Sequence, residues 1–174
     1  MNSRKLGPLP RPPAPGPTGE QARVASAADA ARLVDLALEA ASETGAPLTR
    51  EIAEWVVQAV VHDPLRGIYV LAEHPGPGGE ARGLAAVEAA ASVEHGWMGR
   101  IAMLYVRPPY RRQGLGAWLL EQTLELARYH GLNHLACDLV EGGEAARRLL
   151  TAAGFEARPQ TSYRIDLDPL YDDE

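Results

Sequence analysis

The stretch Arg111-Arg112-Gln113-Gly114-Leu115-Gly116 decides how the rest of the chain is interpreted. It stands between an apolar run ending Met103-Leu104-Tyr105-Val106 and a helical pattern that we expect to start at Ala117. Its order is therefore strand, tight basic turn and helix. The first N–H groups of a helix lack intrahelical acceptors, and the helix dipole favours negative charge there. Because Gly114 and Gly116 keep side chains out of the way, the stretch predicts a binding site for a phosphate group.

The 174 residues are expected to form one folded domain over residues 20–168. Residues 1–19 contain six prolines, which cannot propagate a helix or a ladder, so we expect a disordered tail there. Residues 169–174 form an acidic tail. Cys137 is the only cysteine, which excludes an intramolecular disulfide and favours a cytoplasmic protein. No window approaches the roughly 18 apolar residues of a membrane span, and no signal peptide is recognised, so no membrane association is expected.

Charge is unevenly distributed along the chain. Residues 1–19 carry three basic residues and no acid, which leaves 14 basic and 23 acidic residues for the remainder. Such a balance argues against nucleic-acid binding, which needs a basic face. It is compatible with a cationic substrate such as an amine, although a solvated acidic surface is the more common explanation.

The periodicity of apolar residues predicts the order β-α-α-β-β-β-α-β-α-β-β, a mixed α/β (α+β) architecture. Ser26 and Asp29 have the spacing of a capping box ahead of the first helix, and Thr49 caps the second. Strands over 68–73, 81–93 and 97–106 predict an antiparallel meander. Further strands are expected at 21–25, at 135–140, after Gly154 and at 160–168, with a last helix over 144–153. On the second helix, the predicted buried face consists of Ile52, Trp55, Val56, Ala59 and Val60.

Two better-known phosphate-binding motifs do not fit the turn. A P-loop requires Gly-Lys followed by Ser or Thr, and Lys5 is the only lysine of the chain. A dinucleotide-binding fingerprint requires a third glycine, where this sequence has Leu119. A basic turn that merely contains glycines remains the alternative.

The combination of motifs resembles the GNAT superfamily of acyl-CoA-dependent N-acyltransferases. The resemblance is carried by Val106-x-Pro108-x-Tyr110-Arg111-x-x-Gly114-x-Gly116, by the long helix that follows, and by Ala152-Ala153-Gly154-Phe155 further on. It is strongest over residues 97–156, and the order of elements extends it over residues 21–168. The resemblance implies a mostly antiparallel, splayed central sheet of six to seven strands with about four helices.

The resemblance also implies acetyl-coenzyme A (acetyl-CoA) as co-substrate, and no metal is expected. The backbone from Arg111 to Ala117 would hold the pyrophosphate, with Arg111, Arg112, Gln113, Gly114, Leu115 and Gly116 contributing. Leu104, Tyr105 and Val106 would pair with the amides of the pantetheine arm, in a gap between their strand and the strand over 135–140. One of the two arginines is expected simply to face solvent.

Acyl transfer to an amine requires a group that removes a proton from the amine and one that protonates the leaving thiolate. The chain departs from the family pattern at the usual positions, where Arg100, Ala102 and Leu150 stand. Glu88 is the candidate base, because a carboxylate desolvated in an apolar strand would have a raised pKa. The alternatives are that Glu88 faces solvent and that solvent alone takes the proton. Tyr163 is the candidate acid.

The predicted function is therefore transfer of an acetyl group from acetyl-CoA to a primary amine of a small molecule or peptide. A noncatalytic acyl-CoA-binding module is the alternative, because the family's usual tyrosine is replaced by Leu150. By resemblance, specificity for the amine would reside near residues 42–50, 74–80 and 94–97. A homodimer is compatible with the resemblance, because the C-terminal strand often pairs between subunits of family members.

Overall fold

The computed structural model describes residues 14–76, 78–139 and 143–159. Within them, five strands form one sheet in the order β1-β2-β3-β4-β5, accompanied by four α-helices. The strands are β1 (Gln21–Val24), β2 (Gly67–Glu73), β3 (Ala81–Ser92), β4 (Gly96–Val106) and β5 (His134–Cys137). The helices are α1 (Ala30–Thr44), α2 (Arg50–Val61), α3 (Leu115–Tyr129) and α4 (Glu144–Ala152).

The predicted meander is confirmed. Strands β1 to β4 pair antiparallel in succession, whereas β5 pairs parallel to β4. Of the six to seven expected strands, five are therefore present in the described ranges. No strand forms over residues 155–159, and the strand expected at 160–168, with the subunit pairing attributed to it, lies outside them. The fifth strand ends at Cys137 rather than at residue 140.

Both faces of the sheet are covered by helices. On one face, Val70, Ala85 and Ile101 pack against α3 and against Leu150 of α4. On the other face, β2 to β4 pack against α1 and α2 through the alternate residues Leu71, Leu84 and Tyr105. None of the helices in the described ranges is long and apolar enough to cross a membrane.

The predicted helix caps are present. Ser26 and Asp29 form the capping box ahead of α1, and the Thr49 hydroxyl accepts a hydrogen bond from the Ile52 N–H at the start of α2. Gly45 ends α1 in the left-handed conformation at φ 71°. Local side-chain chemistry therefore sets these helix boundaries, as the sequence indicated.

The predicted buried face of α2 is wrong. Ala53 and Val57 are buried, whereas Trp55 is 72% exposed and Ile52 is 49% exposed. Both stripes are apolar, so the periodicity identifies the helix but does not decide which stripe faces the sheet. The stripe with the smaller residues faces inward, which allows α2 to approach its neighbours closely.

The boundary of the N-terminal tail also differs from the expectation. Residues 14–19, which we assigned to a disordered tail, make defined contacts with the folded domain. The indole N–H of Trp118 donates to the Ala14 carbonyl at 3.0 Å, and Thr18 hydrogen-bonds to the buried Glu20. The composition rightly excluded a helix or strand for this stretch, but it did not reveal these contacts.

Candidate active site

The glycine turn connects β4 to α3, as predicted. After β4, the prolines form a short 3-10 turn over Pro108–Tyr110, and residues 111–114 then lead into α3. The helix begins at Leu115, two residues before the expected start, with Gly114 as its N-cap. Gly116 therefore lies within the first helical turn, where backbone N–H groups have no intrahelical acceptor. The 15-residue helix directs this end of its dipole at the turn.

The backbone of the turn bends through two left-handed residues. Gly114 has φ 83°, a conformation that favours glycine, and Arg112 is the only non-glycine residue of the described ranges with a positive φ, at 59°. Gly116 is different, because a Cβ atom built on it would meet only Val106 Cγ2, at 3.8 Å. The packing of the protein thus does not require glycine at position 116, although glycine costs about 1 kcal/mol relative to alanine inside a helix. A glycine there leaves the backbone accessible to a ligand, as expected from the sequence.

Arg111 braces the turn. Its Nε donates to the Val106 carbonyl at 2.7 Å, and its guanidinium donates to both carboxylate oxygens of Glu43 on α1, at 2.6 and 2.9 Å. The hydrogen bonds that Glu43 accepts from Arg111 are the main cause of a lowered pKa of Glu43. The side chain of Arg111 is therefore engaged in shaping the loop.

A gap opens beside the second half of β4. Residues 98–101 pair with β5, but no strand in the described ranges pairs with residues 102–106 on that side. The parting coincides with a β-bulge, because Ala86 opposes Met103 whereas Val87 opposes Ile101, which leaves Ala102 as the extra residue. Leu104 and Val106 face the α3 side, and Tyr105 faces the α1 side. The residues expected to hold a pantetheine arm thus lie beside the gap.

An open groove of about 670 Å³ lies between α1 and the end of β4. Ion pairs line it: Arg107 with Glu39 at 2.7 Å and Arg50 with Asp35 at 3.0 Å. The Tyr105 hydroxyl donates to Glu43 at 3.0 Å. Burial is the main cause of a raised pKa of Tyr105, and this hydrogen bond is the second cause. The full lining is Asp35, Leu38, Glu39, Ser42, Glu43, Arg50, Tyr105, Arg107 and Pro108. Its residues between 42 and 50 belong to a segment in which we expected amine specificity.

Glu88 faces solvent, as the alternative interpretation held, and is not the desolvated carboxylate of the candidate-base interpretation. Its side chain is 57% exposed and accepts from Arg100, directly opposite on β4, at 2.9 Å. Arg100 also contacts Asp138, at 3.3 Å. The register turns the carboxylate to solvent, so the desolvation expected for a candidate base does not occur. A catalytic role for Glu88 stays a prediction.

The remaining residues considered in the sequence analysis lie in other parts of the chain. Leu150 is buried in the hydrophobic core to which α3 also contributes. Tyr163 lies outside the described residues and also stays a prediction. Cys137, at the end of β5, packs partly buried against the core. Burial is the main cause of a raised pKa of its thiol, and the negative charge of Asp138 is the second cause. No cluster of three or more potential metal ligands occurs within the part of the chain that the structure describes.

Comparisons with solved structures identify proteins of the same fold. A putative acetyltransferase from Arthrobacter sp. FB24 shares 27% sequence identity, with a TM-score of 0.70 over 84% of this chain and 95% of that chain. An integron cassette protein from the mobile metagenome of Cole Harbour Salt Marsh shares 26%, with a TM-score of 0.73 over 86% and 91%. An aminoglycoside antibiotic 6′-N-acetyltransferase from Acinetobacter baumannii shares 15%, with a TM-score of 0.67 over 87% and 100%, a likeness of fold alone.

A search of curated proteins found no match. The sequence model of the family described as "Acetyltransferase (GNAT) family" matches residues 30–155. This range includes the turn, α3 and the gap beside β4. The chain therefore belongs to the GNAT family of acetyltransferases.

Proposed function

We propose that this enzyme transfers the acetyl group of acetyl-CoA directly to a primary amine of a small molecule or peptide. The observation that carries the proposal is the turn over residues 111–114 at the N-terminus of α3. It combines helix N–H groups, a dipole and a glycine at 116 that the packing of the protein does not require.

The residues present fit the proposed donor. Backbone groups from Arg111 to Ala117 would hold the pyrophosphate, and the backbone of residues 104–106 would hold the pantetheine amides. When bound, acetyl-CoA supplies an acetyl thioester, an activated electrophile. The protein contributes a preformed loop and a gap, both of which orient the donor before reaction.

The groove on the α1 side is the proposed entrance for the amine. It adjoins β4 on the side of Tyr105, and the carboxylates of Glu39, Glu43 and Asp35 lie along it. Each of these carboxylates is paired with an arginine, so an incoming ammonium group would compete with Arg107, Arg111 or Arg50 for it. A protein of the same fold is an aminoglycoside antibiotic 6′-N-acetyltransferase, which supports an amine as the acceptor class proposed for this chain.

The exposure of the Glu88 carboxylate bears on how the two protons of the reaction are transferred. In the transfer, a C–N bond forms, the C–S bond breaks, and the coenzyme leaves as a thiol. We assign removal of the amine proton to solvent, because Glu88 is exposed and held by Arg100. Tyr163 remains the proposed donor to the leaving sulfur.

Release of free thiol tests the proposal. The protein is incubated with acetyl-CoA and a panel of amines that includes polyamines, aminoglycosides and peptides with a free N-terminus. We expect amine-dependent thiol release together with an acetylated product detected by mass spectrometry. Tight binding of acetyl-CoA without thiol release on any amine would instead support a noncatalytic acyl-CoA-binding module, the alternative raised by Leu150.

A further inference from the structure

A short N-terminal segment, residues 14–20, packs beside the glycine turn; we call it the N-terminal strap. A backbone turn closes it, with the Gly16 N–H donating to the Glu20 carbonyl at 2.8 Å and the Gly19 N–H donating to the Gly16 carbonyl at 3.0 Å. The strap precedes the residues matched by the family model, which start at 30. It has no place in the function derived above.

The strap contacts the start of α3. Trp118 lies one turn into the helix, is 9% exposed, and donates its indole N–H to the Ala14 carbonyl at 3.0 Å. A Cβ atom built on Gly114 would lie 3.9 Å from the Pro17 ring, so the strap also passes the N-cap of the helix. The downstream end of the turn is thus held from outside the β4–α3 connection.

A second chain of contacts leads from the strap to the upstream end of the turn. The Glu20 carboxylate is almost fully buried and accepts from Arg82 at 2.6 Å. The Arg82 guanidinium lies over the ring of Tyr110, 4.6 Å from its centroid. Tyr110 immediately precedes Arg111. Because Arg82 neutralises Glu20, the buried carboxylate does not place an unpaired negative charge beside a phosphate site.

We propose that the N-terminal strap is a positioning element of the coenzyme site, which fixes both ends of the turn over residues 111–114 and thereby sets the affinity for acetyl-CoA. This inference rests on the proposed function. Residues 111–114 are exposed and include two left-handed residues, so apart from the bonds of Arg111 the turn gains little support from its own packing. A loop held in its binding conformation loses less entropy when the ligand binds.

Two substitutions in the full chain test the proposal. Trp118→Phe removes the indole N–H but keeps an aromatic ring, and Glu20→Gln weakens the link to Arg82. Asp29→Asn is the matched control, because Asp29 is likewise buried, at 5% exposure, and pairs with an arginine, Arg23, at 2.7 Å. Calorimetry measures the dissociation constant for acetyl-CoA at a temperature where circular dichroism shows every variant folded.

We expect each strap variant to bind acetyl-CoA about fivefold more weakly than the wild type, while Asp29→Asn lowers the melting temperature without changing affinity. A purely structural strap would lower the melting temperature and leave affinity unchanged in all three variants, which overturns the proposal. Tighter binding in Glu20→Gln would also overturn it, since Glu20 would then repel the ligand. If the wild type fails to bind acetyl-CoA, the proposed function fails. If the wild type binds and both strap variants bind with the same affinity, the strap proposal alone fails.

Discussion

The two helical layers of this domain differ in how well their sequence specifies their packing. On α3, the apolar positions Leu115, Leu119 and Leu120 are all buried against the sheet, as their spacing predicts. On α2, the apolar stripe with the largest residues faces outward, and the buried stripe contains Ala53 and Val57. The difference shows that periodicity assigns an inner face only when the opposite face is polar. Where two stripes are apolar, packing against neighbours decides between them.

The same contrast extends to the chemistry that each layer supports. The turn before α3 is defined by local features, a helix terminus and glycines, which can be recognised in a sequence. The groove beside α1 is formed by residues distant in sequence, such as Glu39 and Arg107, whose pairing emerges only in the fold. The proposed donor side is therefore set by local sequence, whereas the proposed acceptor side is set by the fold.

The largest expected effect compares one apolar residue from each helix. Leu119→Ala removes a side chain with no exposed surface, so we expect the free energy of unfolding to fall by about 3 kcal/mol. Trp55→Ala removes a side chain that is 72% exposed, and we expect a change within about 0.5 kcal/mol. Urea unfolding followed by circular dichroism measures both. A Trp55→Ala cost equal to that of Leu119→Ala would mean that the outer face of α2 is covered in solution.

The brace between the two layers gives the next effect. Arg111→Gln breaks the contact with Glu43, and we expect acetyl-CoA to bind about tenfold more weakly because the turn loses its support. Glu43→Gln should weaken binding in the same direction, and the double variant should lose less than the product of the two effects. Arg66→Gln, which breaks an exposed pair with Asp63, is the control and should leave binding unchanged. Independent effects of Arg111 and Glu43 in titration calorimetry would contradict the brace.

Stability at low pH tests the buried ion pair between Glu20 of the strap and Arg82. Burial works to raise the pKa of Glu20, but hydrogen bonds from Thr18 and Arg82 outweigh it and lower the pKa to about 2, from 4.5. A carboxyl with a depressed folded-state pKa contributes stability that is fully present above its unfolded value and is lost as the pH falls toward the folded value. We therefore expect the melting temperature of the wild type to fall between pH 4.5 and 2 more than that of Glu20→Gln. Parallel pH profiles would show that the carboxylate is not stabilised by folding.

The extent of sequence-based prediction follows the range of the interactions involved. The meander, the capping box and the position of the glycine turn depend on neighbouring residues, and all were predicted. The register that turns Glu88 toward Arg100 depends on two strands, and the contacts of residues 14–20 depend on Trp118, about 100 residues away. The predicted start of α3, at Ala117, is two residues late, because a glycine at position 116 suggests a turn rather than a helix. Its place in the first helical turn became clear only from the backbone.

The smallest expected effect concerns Glu88. Because its carboxylate is exposed and paired with Arg100, we expect Glu88→Gln to change kcat by less than about threefold on whichever amine is active, since exposed ion pairs contribute little. Glu94→Gln, on the neighbouring β3–β4 turn, is the matched control. A loss of about a hundredfold or more would instead identify Glu88 as the general base, since dedicated acid–base groups contribute at least that much.

The most direct test of the central claim, that the turn before α3 holds the pyrophosphate of acetyl-CoA, is calorimetry on Gly116→Trp. A Cβ at this position has room in the protein itself, with its nearest neighbour at 3.8 Å, so a side chain there interferes chiefly with a ligand. Glu121→Trp, at an exposed position further along α3, is the matched control. We predict a dissociation constant for acetyl-CoA raised by about a hundredfold or more in Gly116→Trp and unchanged in Glu121→Trp, with both variants folded. Binding to Gly116→Trp with the affinity of the wild type would contradict the claim.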